Sequence, residues 1–231
     1  MKMDLHCHSE ASKDCRTPIH DFPDLLLRRG IAVQAITDHN EIWGAVALRT
    51  LVRALSLDDR LTIIVGEEVS TRDGEIIGLF LHDRIPAGMS AEDTVRAIRD
   101  QGGLVLLPHG FDPLKRHRLR PEALERVRDE IDIVESFNAR VSNVRYNAEA
   151  GEWAAKRDLP ASAGSDAHTD DQVGECWVQT PDRSVTTPED LLGALRSGDI
   201  IGKWTHPAIA FVAKQLHGFR KNSLRSPSRA S

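Results

Sequence analysis

Short apolar runs recur along the chain, and longer segments with helical periodicity separate them. A short continuous apolar run fits a buried strand, whereas apolar residues that recur at helical spacing fit one face of a helix. Strands that alternate with helices are typical of parallel βα units. The predicted strands lie at 3–5, 31–36, 61–65, 76–81, 104–107, 131–134 and 159–163.

Capping residues predict where several helices begin and end. Thr17-Pro18 predicts a start with Thr17 as N-cap and Pro18 at the first helical position, and Gly30 predicts the end of that helix. The sequence that begins at Ser90 nearly matches the capping-box motif and predicts the start of another helix. Thr187 is the predicted N-cap of a later helix. Residues 62–81 break the alternation, because a turn joins two predicted strands there without a helix between them.

Composition favours one domain. A chain of 231 residues that is 40% hydrophobic can bury one sizeable core, and the sequence contains no internal repeat. We expect a single domain over residues 1–221. The Ser-, Arg- and Pro-rich segment 222–231 predicts a disordered basic tail.

Charge and cysteine content limit the partners and the compartment. The formal net charge of −5 argues against a general attraction to nucleic acid or membranes, although residues 203–231 hold six Lys and Arg and no acidic residue. Three cysteines without CxxC spacing predict reduced thiols. No apolar run could span a bilayer, and no signal-peptide core precedes the first candidate ligands. These observations predict a cytoplasmic protein with no membrane partner, and they leave the oligomeric state open.

Histidines and carboxylates follow several of the predicted strands. His6 and His8 can face the same side, since alternate residues of a strand share a face. A parallel βα fold collects such strand-end residues at one edge, which predicts a metal centre. Imidazole mixed with carboxylate suits Mn²⁺, Zn²⁺ or Fe²⁺ better than Mg²⁺ or Ca²⁺. The strand-end residues are His6, His8, His39, Glu68, His109, Asp166 and His168.

The motifs DLHCHS, TDHN, GEEVS, PHG and GSDAH, in this order, resemble those of the Polymerase and Histidinol Phosphatase (PHP) family of metal-dependent phosphoesterases. The resemblance implies an α/β fold, a distorted (β/α)7 TIM-like barrel with the metal site at the C-terminal ends of the strands. It also implies two or three divalent metal ions, of Mn, Zn or Fe.

Ligand roles follow from the same resemblance. His6 and His8 would hold one metal together with Glu68 and Asp166, and Glu68 would bridge to the next metal. His109 would hold the second metal, and Asp14, His39 and His168 would complete the second and third positions. Many relatives carry a His where this chain has Glu75, so Glu75 is either an oxygen ligand or an exposed turn residue.

The predicted activity is hydrolysis of a phosphoester by a metal-bound hydroxide that His6, His8, Glu68 and Asp166 hold. The resemblance is closest to the small stand-alone members of the family, and it implies as candidate substrates a small phosphate monoester, a nucleoside bisphosphate or the end of a short oligonucleotide. The predicted substrate-binding residues are Arg116, Asn138 and Arg140, of which the two arginines could bind phosphate oxygens. For the strand that ends at Asn138, the sequence leaves open which face points into the barrel mouth.

Two alternatives remain at this point. An amidohydrolase would cleave C–N bonds, and many members bridge their metals with a modified Lys. The chain has no Lys between Lys13 and Lys115 and carries Glu68 where the bridge is expected, which favours a phosphoesterase. The other alternative is a non-catalytic module that a metal stabilises.

Overall fold

The computed structural model describes residues 1–181 and 184–204, and in these residues nine strands form one sheet with six α-helices around it. The strands are β1 Lys2–Asp4, β2 Ile31–Ile36, β3 Thr62–Thr71, β4 Gly74–Leu79, β5 Leu104–Leu107, β6 Ile133–Asn138, β7 Ala161–Gly164, β8 Cys176–Gln179 and β9 Asp199–Gly202. The helices are α1 Phe22–Arg29, α2 Trp43–Ala54, α3 Ala91–Asp100, α4 Pro121–Val127, α5 Arg145–Ala155 and α6 Pro188–Leu195.

The sheet closes almost into a barrel. Its order is β7-β6-β5-β4-β3-β2-β1-β8-β9, with β1, β2 and β3 parallel to one another and β5, β6 and β7 likewise. The backbone N–H of Leu5 donates to the carbonyl of Ala163 (3.0 Å), and that of Asp166 donates to the carbonyl of His6 (2.8 Å), so the segment after β7 lies beside the segment after β1. The predicted barrel-like α/β fold is confirmed.

The strand count differs from the predicted seven. Strand β4 is antiparallel to both of its neighbours, and β8 and β9 add an antiparallel extension beyond β1. Neither β8 nor β9 was predicted, because β8 has only three consecutive apolar residues, and β9 has two and is largely exposed.

The helix predictions are mostly confirmed at their ends. Gly30 adopts the left-handed conformation (φ 69°) after α1, the Ser90 side chain accepts from the Asp93 N–H, and Thr187 forms a capping box. The predicted start at Thr17-Pro18 was wrong. A 3₁₀ turn follows Pro18, and α1 begins only at Phe22, while the Thr17 hydroxyl lies buried without a hydrogen-bond partner among the described residues.

The hairpin β3–β4 supports the loop 111–120. Gly74 in its turn has φ 128°, and a Cβ there would lie 2.4 Å from the Arg118 carbonyl oxygen, so only glycine fits. Arg120 donates from its backbone N–H to the Asp73 carbonyl (2.9 Å) and from its guanidinium to the Asp73 carboxylate (2.6 Å). The Glu75 N–H donates to the His117 carbonyl (2.7 Å). The turn therefore holds this basic loop over one end of the barrel.

The barrel interior is apolar, and one cluster fills it from Met3, Val33, Ile64, Leu106 and Ala163, one residue from each of five strands. No helix in residues 1–181 and 184–204 is both long and apolar enough to cross a bilayer. The single-domain boundary at 221 stays a prediction, and the predicted tail 222–231 lies outside the described residues.

Candidate metal centre

Four buried side chains converge where β1, β3 and β7 meet. The Nε2 atoms of His6 and His8 lie 3.2 Å apart. The Glu68 Oε2 atom lies 3.4 Å from the first and 3.3 Å from the second, and the Asp166 Oδ1 atom lies 3.8 Å and 3.5 Å away. All four residues are at most 3% exposed. Two ring nitrogens and two carboxylate oxygens so close together form a donor set that fits a divalent cation.

Glu68 occupies the middle of a larger group. Its Oε2 atom also lies 3.2 Å from His39 Nδ1, and its Oε1 atom lies 3.0 Å from His109 Nε2. Glu68 lies on the part of β3 that extends past β2 and pairs with β4, so its side chain reaches imidazoles from β1, β2 and β5. This central position fits the bridging role that the resemblance implies.

The predicted ligands form overlapping groups, each with donor atoms within 4.8 Å of one another. Asp14 is in none of these groups and is 56% exposed, with its Oδ2 atom 3.0 Å from His168 Nε2. Glu75 is only 6% exposed, so the exposed-turn alternative is wrong, while its role as a ligand stays a prediction. The groups are His6–His8–Glu68, His6–His109–Asp166, His8–His39–His168 and His39–Glu68–Glu75.

The close packing of acids and imidazoles shifts their protonation. Burial works against a charged His6, but the carboxylates of Glu135, Glu68 and Asp166 outweigh it and hold the His6 pKa well above its usual value. Burial and the neighbouring Glu68 raise the pKa of Glu75 to about 8. Protons and a cation compete for such donors, because metal ligands bind in their deprotonated form.

Three residues around the centre adopt positive φ without being glycine. They are Asn40 (φ 56°), His109 (φ 30°) and Asp166 (φ 51°). This region is unfavourable for side-chain-bearing residues, and it persists where the surrounding structure enforces it. Asn40 is held by its own amide, whose Oδ1 accepts from the Ser70 N–H (2.8 Å). The loops that carry the donors are therefore fixed to the ends of the strands.

Basic residues reach the same cleft, which has a volume of about 160 Å³. The Lys115 ammonium pairs with Asp166 Oδ2, and the Arg140 guanidinium donates to Asp166 Oδ1 (3.2 Å) and contacts His168. Arg116 is exposed and lines the cleft. The sequence did not predict Lys115 as a residue of the cleft. Residues 115–120 contain four Lys and Arg, and nothing in their order indicates which side chain turns inward.

Asn138, a predicted substrate-binding residue, lies beneath the cleft and is completely buried. Its Nδ2 atom donates to Glu135 (3.0 Å) and Asp166 (3.3 Å), and its Oδ1 atom accepts from the Arg140 N–H (2.8 Å). Its amide atoms thus bind residues of the protein, and it orients other members of the site.

Glu135 belongs to the site as well, although strand alternation would put it on the opposite face from Asn138. The register of β6 against β7 shifts between Glu135 and Phe137, and this irregularity turns both polar side chains inward. No sequence signal marks such a shift.

Two family models match most of this chain. A family model described as PHP domain matches residues 4–149, and one described as PHP-associated matches residues 144–200. The chain belongs to the PHP domain family. The PHP-associated match covers α5, β7, β8, α6 and part of β9, so the extra strands of the sheet come from that segment.

An uncharacterized Methanocaldococcus jannaschii protein is 33% identical over 195 residues, which are 83% of this chain and 75% of that protein. A two-domain Bacteroides vulgatus protein containing a predicted PHP-like metal-dependent phosphoesterase has a TM-score of 0.70 at 21% identity, over 87% of this chain and 64% of that one. An amidohydrolase from Chromobacterium violaceum has a TM-score of 0.60 at 16% identity, over 87% and 98% of the two chains.

Endonuclease Q, solved with a 27-mer duplex that has an abasic lesion at the active site, has a TM-score of 0.56 at 16% identity. The match covers 84% of this chain and 56% of that one. These solved structures share the fold with this chain. Membership of the PHP family, together with the donor groups of the centre, supports a metal-dependent hydrolase.

Proposed function

We propose that this PHP protein hydrolyses phosphoesters with divalent metal ions held by His6, His8, Glu68 and Asp166. The observation that carries the proposal is that metal donors and basic side chains share one cleft. The Asp166 carboxylate takes part in the donor set and also contacts Lys115 and Arg140. Two cationic side chains and a bound cation around one Asp166 carboxylate leave an excess of positive charge at this end of the cleft, and a phosphate group supplies negative charge that balances it.

The size of the cleft supports a small reacting group. A volume of about 160 Å³ is below the range of cavities that enclose a drug-sized ligand, roughly 300–1,000 Å³. The phosphoryl end of a substrate would be enclosed, and the rest would extend past the exposed Arg116. A phosphate monoester, a nucleoside bisphosphate and the end of a short oligonucleotide all meet this requirement.

Each part of the site has a role in this proposal. Divalent cations held by these donors would supply charge neutralisation and would activate water for attack on phosphorus. Glu68 contacts four imidazoles and holds them around a common centre. Lys115 and Arg140 bind phosphoryl oxygens, and the Arg140 contact with Asp166 sets the direction from which the guanidinium approaches.

C–N hydrolysis is the second candidate, since an amidohydrolase shares the fold. Among residues 1–181 and 184–204, one lysine, Lys115, lines the cleft, but its ammonium pairs with Asp166 at the edge of the donor set. Glu68 lies where a bridging group is required, between the four imidazoles. This arrangement favours the phosphoesterase.

The test is a substrate panel after removal of metal and readdition of Mn²⁺, Zn²⁺ or Fe²⁺. The panel holds a nitrophenyl phosphate monoester, the matching diester, a nucleoside 3′,5′-bisphosphate, a short RNA and an N-acyl amide. We expect metal-restored cleavage of at least one phosphoester, and none by the protein with His6→Ala and His8→Ala. Cleavage of the amide alone would move the activity to the amidohydrolase class. If the metal-bound protein cleaved no substrate of the panel, the proposed catalysis would be contradicted.

Arg116→Ala is expected to raise KM about tenfold or more for the best phosphoester and to change kcat less, because a charge-assisted hydrogen bond to a remote phosphate oxygen contributes roughly 1.5–3 kcal/mol. Steady-state kinetics on the purified variant measure both constants. Arg53→Ala is the control, since Arg53 is an exposed arginine of α2 that does not line the cleft. An unchanged KM in Arg116→Ala would remove Arg116 from the substrate-binding residues.

A further inference from the structure

Glu135 is a carboxylate inside the centre that belongs to none of the donor groups. It is 1% exposed, and its two oxygens accept three hydrogen bonds. Oε1 contacts His6 Nδ1 (2.9 Å), and Oε2 accepts from the His109 backbone N–H (2.7 Å) and from Asn138 Nδ2 (3.0 Å). An ionised carboxylate only accepts, so the His6 proton must be on Nδ1. The lone pair of His6 is then on Nε2, which faces the donor set.

A different group imposes the same arrangement on His8. The Ser12 hydroxyl has one proton and donates it to Asp38 Oδ1 (2.8 Å). Ser12 Oγ therefore accepts from His8 Nδ1 (3.2 Å) and from the His39 backbone N–H (2.9 Å). Asp38 in turn accepts from the Ser9 N–H and the Ser9 hydroxyl, both at 2.7 Å. His8 is thus also protonated on Nδ1 and presents the lone pair of Nε2.

These two constraints have a joint consequence. The Nε2 lone pairs of His6 and His8 face each other across 3.2 Å, with two carboxylate oxygens beside them. Four electron-rich atoms in one place repel one another unless a cation or protons lie between them. The alternative tautomers would put a ring N–H in this place and block a cation.

We propose that Glu135 is a positioning residue that selects the cation-binding tautomer of His6. Through the His109 N–H it also fixes the imidazole on the far side of Glu68, so that one buried carboxylate orients two ligands. The Glu135 carboxylate fits here because residue 164 is glycine, since a Cβ at this position would lie 2.1 Å from Glu135 Oε1. The inference requires that the donor set binds a divalent cation, as the proposed function does, and it is independent of which bond is cleaved.

Glu135→Gln separates this role from packing, because it keeps the shape and changes only what the side chain can accept. If the amide nitrogen takes the place of Oε2, it faces two donors, the His109 N–H and Asn138 Nδ2. If it takes the place of Oε1, it donates to His6 Nδ1 and moves the His6 proton to Nε2. Both outcomes disturb the centre, and we expect Zn²⁺ affinity to fall about 10–100-fold, as is usual when a group that orients a metal ligand is lost.

Glu67→Gln is the matched control. Glu67 is the next buried carboxylate along β3 from Glu68, and its Oε2 atom accepts from the Ile85 N–H (2.8 Å), while its Oε1 atom has no partner among the described residues. An amide keeps the hydrogen bond from the Ile85 N–H when its oxygen lies at the Ile85 end. We expect this variant to bind Zn²⁺ with the affinity of the unsubstituted protein.

The experiment measures Zn²⁺ affinity by competition with a chromophoric chelator and the His6 tautomer by long-range ¹H–¹⁵N correlation of the imidazoles in Zn²⁺-loaded protein, where the cation replaces the second ring proton, with His6→Ala to assign the ring. We expect Nδ1–H in the unsubstituted protein and in Glu67→Gln, and weaker Zn²⁺ binding in Glu135→Gln alone. Equal affinity in Glu135→Gln and Glu67→Gln would overturn the inference.

If Glu135→Gln does not fold, the His6 tautomer of the unsubstituted, Zn²⁺-loaded protein decides, and a proton on Nε2 with none on Nδ1 would refute the role of Glu135. The proposed function fails separately. If the unsubstituted protein binds none of Zn²⁺, Mn²⁺ or Fe²⁺, the metal-dependent activity is wrong whatever the tautomer.

Discussion

Glu68→Gln is expected to lower kcat/KM by more than about 100-fold and to weaken metal binding by a similar factor, beyond the usual effect of changing a residue that only orients a ligand. Glu68 contacts His6, His8, His39 and His109, and no other carboxylate among the described residues does so. An amide removes the negative charge from the middle of the centre and directs an N–H at ring nitrogens or at a cation. Metal content after desalting, together with steady-state kinetics, measures both effects.

Glu67→Gln is again the control, since the two variants carry the same chemical change at adjacent positions of β3. The pKa of Glu67 is raised by burial to about 7, so its side chain already exists partly in the neutral form. We expect Glu67→Gln to keep its metal and its activity. Full activity in Glu68→Gln would show that the proposed centre is not where the reaction takes place.

Gly164→Ala is expected to destabilise the fold by about 3 kcal/mol and to weaken metal binding, since this is the upper end of the usual cost of overpacking a filled interior. The added Cβ would lie 2.1 Å from Glu135 Oε1 and 2.4 Å from His6 Cβ. Neither neighbour can give way freely, because His6 follows β1 and Glu135 is held by three hydrogen bonds. Urea unfolding in the presence of a chelator measures the loss of stability separately from the loss of metal.

Replacement of Gly151 by alanine should instead stabilise the fold. This glycine lies inside α5, and the nearest atom to an added Cβ is Ser136 Cβ at 3.8 Å, an ordinary contact. Alanine in the interior of a helix is more favourable than glycine by roughly 0.5–1 kcal/mol. If Gly164→Ala and Gly151→Ala were equally stable, the tight fit around Glu135 would be contradicted.

The positions of the donors were predictable because each motif follows an apolar run. Strand ends meet at one edge of a parallel sheet, and His6, His39, His109 and Asp166 all follow such runs and meet in the structure. Glu75 reaches the same edge in another way. It lies at the start of β4, which runs in the opposite direction, so the beginning of that strand and the ends of its neighbours coincide.

The groups that orient the ligands were not predictable, since they depend on local departures from regular structure. Glu135 faces inward because the register of β6 shifts, and a shift of one residue reverses the side of every later residue. Lys115 turns inward from a loop whose course is set by its contacts with the hairpin turn at Gly74. Periodicity contains neither kind of information, because both result from contacts between segments distant in sequence.

The closure of the barrel also determines when the centre can assemble. Strand β1 pairs with β2 on one side and with β8 on the other, and the backbone N–H of Asp166 binds the carbonyl of His6 from 160 residues away. Contacts between such distant residues form late, since the loop between them must first be closed. During synthesis His6 and His8 leave the ribosome well before Asp166 and His168, so the set of donors is complete only after residue 168 has followed. We therefore expect the proposed cation site to form together with the closure of the barrel and not before it.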